Sequence, residues 1–321
     1  MQPSADDLSP GTDHVLILVN PKAGAKSALA RVDRLAKLAG QRGFHVEVLA
    51  DLGQAASLAN QWHTAGRLRA LVGVGGDGTA AELVNRTAAG VPLTLLPAGN
   101  ENLLARYLGL AGTPEACCQT LAEAHVVRLD AARAGDRIFL LMASCGLDAD
   151  VVRRVHARRS GHVRRSSYFK PILDSIRSYQ YPEMQMCRSE APAGGAARWS
   201  APVAESPRWS APLAVRWVFA FNVPRYGGGL RIAPQADPAD GLLDICTFRC
   251  GGLWRGLWYT AAVLAGRHRH LADCRLERAA RLRITSAERV PYQLDGDPGG
   301  FLPVELEVLP KRMTLLVPSR A

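Results

Sequence analysis

The chain of 321 residues contains no apolar run near the ~20 residues that carry a helix through a bilayer, which excludes a membrane-spanning helix. Its first thirteen residues are polar and acidic, not a basic start leading into an apolar stretch, so a cytosolic protein is expected. Seven cysteines stand at 117, 118, 145, 187, 246, 250 and 274 without a single C-x-x-C pair. That spacing argues against a zinc ribbon and against a disulfide framework, and leaves the thiols as small core residues. No repeat of domain size is visible. A Walker loop is also missing, because Gly24-Ala25-Lys26-Ser27 has no Gly-Lys-Ser/Thr sequence.

Acid is scarce in one place in particular. Between Val151 and Lys170 stand Arg153, Arg154, Arg158, Arg159, Arg164, Arg165 and Lys170, with His156 and His162, and no carboxylate. The chain as a whole carries +10, which calls for an anionic partner. Stacking aromatics are not interleaved with these cations, since only Tyr168 and Phe169 lie close by, so nucleic acid is not expected. An anionic membrane surface is the expected partner, at about 1 kcal/mol per cation near charged lipid. A solvated helix face is the plainer alternative.

The most informative stretch is Leu71 to Thr79, Leu-Val-Gly-Val-Gly-Gly-Asp-Gly-Thr, an apolar run breaking into a glycine turn. Glycine suits a phosphate cradle because a side chain would hold the backbone away from the anion, while successive N–H groups must turn inward together. Asp77 cannot bind an anion itself. It points to a role on a metal, a ribose hydroxyl or an acceptor alcohol, hence to nucleotide-dependent phosphoryl transfer. Gly73, Gly75 and Gly78 also satisfy G-x-G-x-x-G, but a dinucleotide site wants an acid about 20 positions on. The chain there reads Leu95-Leu96-Pro97-Ala98-Gly99-Asn100, a second glycine turn.

Strand and helix patterns alternate from His14 to about residue 125: strands at His14–Val19, Phe44–Ala50, Leu68–Val74 and Val91–Leu96, helices after Ser27, over Ala55–Thr64, over Thr79–Thr87 and up to Tyr107. This predicts a Rossmann-like α/β domain over 14–125 with ligands at the carboxyl ends of a parallel sheet, behind a flexible lead of residues 1–13. From 126 to 310 the pattern is β-rich and predicts an antiparallel, sandwich-like second domain. Residues 311–321 read as a strand returning to the first domain. Residues 188–212 read as a low-complexity insertion holding a duplicated Arg-Trp-Ser-Ala-Pro, at 198–202 and 208–212. A stripe of Leu253, Trp254, Leu257, Trp258, Tyr259, Ala262 and Val263 reads as core contact, with an interfacial helix as the alternative.

Taken in order, Asn20-Pro21-Lys22-Ala23-Gly24, Gly75 to Thr79, Pro97 to Asn102, Gly227-Gly228-Gly229, Asp240-Gly241-Leu242-Leu243-Asp244 and Asp295-Gly296-Asp297 resemble the diacylglycerol kinase catalytic family, over roughly residues 14 to 315. The resemblance implies the NAD-kinase and diacylglycerol-kinase type of fold, ATP and Mg2+, and transfer of phosphate to a diacylglycerol-like or sphingoid-like lipid hydroxyl. It implies that Gly75, Gly76, Asp77, Gly78 and Thr79 line the nucleotide phosphates, with Ala80 and Ala81 opening the helix whose dipole helps bind them, that Asn20 closes the same cleft, and that Gly99 and Asn100 touch the nucleotide. It implies a cation on the Asp240 carboxylate with the main chain of Asp237 and Leu242. It also implies that Asp297 takes the acceptor proton while Asp77 orients the metal-bound phosphate.

Two departures stand out. Leu103 occupies the place of a carboxylate in the family's second turn, and Asp297 that of a glutamate, shorter by one methylene or about 1.5 Å. A soluble kinase acting on a dinucleotide and a non-catalytic lipid-binding relative therefore stay open, as does the oligomeric state, a homodimer included.

Overall fold

The computed structural model describes residues 11–19, 25–157, 174–175, 177–189, 208–227 and 230–319. The chain forms two compact units, Met1–Asp130 with Lys311–Ala321, and Ala131–Pro310.

In the first unit the elements run β1 (His14–Val19), α1 (Ala25–Gln41), β2 (His45–Leu49), α2 (Leu52–Thr64), β3 (Leu68–Gly75), α3 (Asp77–Arg86), β4 (Pro92–Pro97), α4 (Leu103–Leu108), α5 (Pro114–Glu123) and the start of β5 (His125–Ala134). Strands β2, β1, β3 and β4 pair side by side and parallel. The end of the last strand, β16 (Val304–Val317), adds to β4 in parallel through Thr314↔Pro92 and Leu315↔Leu93. Buried on both faces, β3 must be apolar throughout, and every residue but Arg69 is buried.

Local chemistry sets the helix boundaries. Asp51 accepts the Gln54 N–H at 2.7 Å and starts α2 three residues ahead of its expected Ala55. Thr113 caps α5, with Pro114 in its first turn, a Thr-Pro-Glu signal that the strand–helix rhythm alone overlooked. The core gathers Val15, Ile17, Leu35, Val72 and Val74 under Cys117, Cys118 and Leu121, with Leu316 from the returning strand.

The second unit holds the end of β5, then β6 (Arg137–Phe139), β7 (Met142–Cys145), α6 (Leu147–Ala157), β8 (Met184–Arg188), β9 (Leu213–Val215), β10 (Trp217–Phe221), β11 (Leu243–Phe248), α7 (Leu253–Leu264), β12 (Cys274–Ala279), β13 (Arg281–Thr285), β14 (Pro291–Leu294), β15 (Asp297–Phe301) and the start of β16. One antiparallel sheet runs β12-β11-β10-β7-β14-β15. In a second, β13 lies between β16 and β8, and β9 follows β8. Phe139, Met184, Leu243, Ile245, Leu282 and Leu294 are among the apolar residues of its core. The β8–β9 pairing fixes where the low-complexity segment leaves and rejoins the sheet, through Met184↔Val215 and Met186↔Leu213.

Trp209, in the second copy of the duplicated Arg-Trp-Ser-Ala-Pro, is half-buried under the guanidinium of Arg283, 4.5 Å from its ring centroid; Trp199 lies outside the described residues. The stripe read as core contact divides: Leu253, Trp254, Leu257 and Trp258 turn outward, with Trp254 80% and Trp258 56% exposed, while Tyr259 and Ala262 pack inward. Only Gly256, Tyr259 and Ala262 of α7 are buried.

Candidate active site

In the first unit, two glycine turns leave adjacent strands at the same level, β3 ending at Gly75 opposite Pro97 of β4. They touch through backbone alone: a Cβ on Gly99 would come within 2.8 Å of the Gly76 Cα, and one on Gly76 within 3.3 Å of the Gly99 Cα. Gly75 is also required, because a Cβ there would lie 2.8 Å from the Thr79 Cβ. Gly78 differs, since a side chain on it would meet nothing within 4 Å. It is the exposed second residue of α3, with open space where a side chain would stand.

Gly76 caps α3 with no side-chain acceptor. The N–H groups of Thr79 and Ala80 both reach the Gly76 carbonyl, at 3.0 and 3.2 Å, so those of Asp77 and Gly78 precede the helix's own ladder. This end carries the positive pole of the helix, at the exposed Gly78 backbone. Ala80 stands in the first turn of α3 with its methyl turned to the core at 3% exposure. Ala81 is half-buried. Asn20 lies outside the described residues.

Asp77 has a definite task. Its Oδ2 accepts the Leu103 N–H at 2.9 Å and its Oδ1 the Leu104 N–H at 3.0 Å, so it closes the exposed start of α4. Burial pushes its carboxyl above the usual range, against the lowering pull of those two bonds. The carboxylate expected to work on a metal or an alcohol thus positions the second turn. That turn also closes on itself, with the Asn102 Oδ1 accepting from the Gly99 N–H at 3.0 Å and the Asn102 Nδ2 donating to the Gly99 carbonyl at 2.7 Å. Asn102 takes the left-handed conformation there, φ 48°. Leu103 is 8% exposed, so apolar packing stands where the resemblance implied a carboxylate. Gly99 and Asn100 are exposed at the rim.

In the second unit, Asp297 opens β15 at 43% side-chain exposure, with Arg137 Nη2 3.3 Å and His156 Nδ1 3.9 Å from its carboxylate. Arg137 also donates to the Pro298 carbonyl at 3.1 Å, which fixes its direction. Asp295 is structural: in the left-handed conformation, it accepts the N–H groups of Leu140, Leu141 and Met142 at 2.7, 2.8 and 3.0 Å. Fully buried Gln293 accepts from the Gly296 N–H at 2.7 Å and donates to Ser144 Oγ at 2.9 Å and Asp148 Oδ2 at 3.3 Å.

Asp148 was not anticipated. Burial raises its carboxyl, opposed by hydrogen bonds from Ser144, at 2.5 Å, then Tyr226 and Gln293. A perturbed acid within a network that also braces the Asp295–Asp297 turn belongs to the same constellation. Its sequence signal was Gly146-Leu147-Asp148, a glycine turn at φ 103° passing from β7 into α6.

The proposed cation segment is occupied in its own way. Asp240 Oδ1 accepts the Leu242 N–H at 2.9 Å, while Oδ2 faces the Arg278 guanidinium, and the Asp237 carbonyl accepts from the Asp240 N–H at 3.3 Å. Arg278 Nε also lies 3.7 Å from buried Asp244, whose carboxylate oxygens lack hydrogen-bond donors. Burial pushes Asp244 up to about 6. Two carboxylates against one guanidinium leave negative charge over, so an oxygen-seeking cation fits the chemistry of the segment, in competition with Arg278. Among the described residues no three His, Cys, Asp or Glu side chains converge as a ligand set.

The basic stretch is only partly described. Arg153 and Arg154 both turn to Asp150, at 2.7 and 2.6 Å, just ahead of the acid-free run. Burial would raise Asp150, and hydrogen bonds from Arg153, Arg154 and Ser175 outweigh it and hold the carboxyl low. These two arginines therefore neutralise an internal acid. Residues 158–170 and Gly228–Gly229 lie outside the described residues.

The diacylglycerol kinase catalytic domain family matches residues 14–134, and the YegS C-terminal NAD kinase beta sandwich-like domain matches residues 142–317. The chain belongs to the diacylglycerol kinase catalytic family. It is thus a kinase-family protein, a phosphotransferase by descent. Among relatives, it is 26% identical to a diacylglycerol kinase of Mycobacterium tuberculosis over 78% of this chain and 77% of that one. A Bacillus subtilis diacylglycerol kinase is 22% identical over 78% of each chain. The fold is that of a diacylglycerol kinase crystal structure from Bacillus anthracis, with TM-score 0.65 at 21% identity over 95% and 97% of the two chains. An Archaeoglobus fulgidus NAD kinase solved in complex with ATP shares the fold at TM-score 0.51 and 12% identity, over 95% and 94%. No helix among the described residues is long and apolar enough to cross a membrane.

Proposed function

We propose that this family member is an ATP-dependent lipid kinase that passes the γ-phosphate to the hydroxyl of a diacylglycerol-like or sphingoid-like lipid. The observation that carries the reading is the pair of glycine turns pressed together through Gly76 and Gly99, with open, exposed backbone at Gly78 in the first turn of α3. Such a surface suits a polyphosphate, whose charge the Asp77 and Gly78 N–H groups and the helix dipole offset. Asp77 acts as a positioning residue: by capping α4 it fixes the Gly99–Asn102 turn that borders the nucleotide. Thr79, packed back over Gly75, sets the width of the first turn.

Asp297 is the group that accepts the hydroxyl proton. Arg137 beside it keeps it aimed, and the Gln293 network holds its turn in place. Magnesium, arriving with ATP, would supply charge neutralisation between phosphate oxygens, and a cation at Asp240 with the Asp237 and Leu242 main chain would steady the Asp240–Asp244 segment. Because phosphoryl transfer passes a loose transition state, placement of these groups outweighs the base strength lost between glutamate and aspartate.

The test is incubation of the purified chain with labelled ATP and a total lipid extract, with NAD in a parallel arm, and mass identification of the product. A new phospholipid is the expected result. Label on NAD alone would give the nucleotide-kinase reading instead, and bound ATP without transfer would leave a lipid-binding relative.

A further inference from the structure

Helix α7 is amphipathic in the wrong sense for a helix packed on a sheet. At about 100° per residue, Leu253, Trp254, Leu257, Trp258, Ala261 and Leu264 share one arc of about 140°. All six are exposed. The opposite side does the anchoring. Tyr259 stacks on Phe248 of β11 with ring centroids 4.4 Å apart, meets Trp217 of β10 edge-on at 5.9 Å, and hydrogen-bonds Asp273. Gly256 allows the close approach, because a Cβ there would sit 2.8 Å from the Tyr181 hydroxyl. The helix is therefore held rigidly while its apolar face, two tryptophans included, stays in water. Monomeric soluble proteins rarely leave such a patch without a partner.

Charge identifies the partner. From Leu253 to His270 there is no acid, while Arg255, Arg267 and Arg269 border the apolar arc, the first tied to Asp273 at 3.3 Å and the other two exposed. Tryptophan with leucine at one depth and arginine beside them is the composition of a helix lying in the headgroup layer, where the indole ring sits among acyl carbons and its N–H meets water. We infer that α7 docks the chain on an anionic bilayer, inserting Trp254, Trp258, Leu257 and Leu264 with Arg267 and Arg269 on headgroup phosphates. This assigns the membrane contact to a place other than the 153–170 stretch. It rests on the lipid-kinase reading only for its purpose, since docking needs neither ATP nor turnover.

The experiment uses the full chain and vesicles of phosphatidylcholine and phosphatidylglycerol, with co-sedimentation and quenching of tryptophan emission by brominated acyl chains. The wild type should sediment with vesicles and be quenched. The pair Trp254→Ala and Trp258→Ala should weaken vesicle binding about tenfold or more and remove the quenching, with melting unchanged because both side chains are exposed. Arg267→Gln should weaken it about fivefold, and more salt should do the same. Unchanged vesicle binding in the tryptophan pair would overturn the proposal, as would a dimer in sedimentation equilibrium that the pair converts to monomer. Phosphorylation of a water-dispersed short-chain diacylglycerol is read on the same preparations and should survive the pair. Its absence from the wild type would remove the kinase reading while leaving the docking helix in place.

Discussion

Replacing Asp77 tests the link between the two glycine turns. In Asp77→Asn one oxygen can still accept from Leu103 or Leu104, but the amide nitrogen turns a donor toward the other N–H. Leaving a part-buried N–H without an acceptor costs about 1–3 kcal/mol. Against that, burial already pushes the Asp77 carboxyl up, so the fold opposes its ionisation, and a neutral amide relieves that opposition. The net loss should be about 1–2 kcal/mol, a drop in melting temperature of roughly 2–8 °C. Asp77→Ala frees both N–H groups and should cost about 1–2 kcal/mol more. Calorimetry measures both, and kinase assays at varied ATP measure the consequence. A turn displaced by about 1 Å should lower kcat/KM for ATP about 100-fold. An asparagine variant as stable as the native chain would refute the capping argument. An alanine variant that melts early but turns over ATP normally would refute the transmission from cap to nucleotide.

Gly99→Ala should destabilise by about 1–3 kcal/mol, because the new methyl meets Gly76 backbone, whereas Gly78→Ala should melt normally and lose ATP affinity by calorimetric titration. Equal melting of the two would remove the distinction between a packed glycine and a ligand-facing one. Asp297→Asn should lower kcat about 100-fold or more with little change in melting, since the side chain is half exposed, and Asp297→Glu should retain most of the rate. His268 donates its Nε2–H to the Ile232 carbonyl, and burial holds its pKa below 6.5. Its contribution is complete above pH 6.5 and fades as pH falls toward the folded value, because the unfolded chain then binds the extra proton. His268→Gln should flatten the acid limb of the stability curve between pH 6.5 and 5 by urea unfolding, and an unchanged limb would show that other groups drive it.

The parallel sheet of the first unit was legible because buried strands read as unbroken apolar runs and each glycine turn follows one directly, as Leu68–Gly75 shows. The second unit was legible only as β-rich, since its short strands β9 and β14 pair with β8 and β7, far away in sequence. What escaped entirely was direction. A stripe at helical spacing is the same in sequence whether it faces a core or water, and for α7 the decision lies with Gly256 and Tyr259 docking onto Tyr181, Trp217 and Phe248. Asp77 was identified as important from its glycine setting, but its hydrogen bonds to Leu103 and Leu104 join segments 26 and 27 residues apart that no local pattern connects. The pairing of Arg153 and Arg154 with Asp150 was visible as spacings of three and four on one helix, and was masked by attention to the acid-free run that follows.

The two departures from the family's pattern have opposite physical character. Leu103 replaces a carboxylate with a side chain 8% exposed, whose backbone N–H serves Asp77, so charge at that turn has been exchanged for packing and the turn holds without it. Restoring an acid there would bury a second carboxylate beside one already pushed upward, a like-charge arrangement the fold resists. Asp297 instead keeps its charge at a half-exposed place, with Arg137 3.3 Å away and a braced turn behind it. Packing stands in for charge at Leu103, where the turn holds its shape without an acid; at Asp297, where the proposed transfer calls for a proton acceptor, a carboxylate is present.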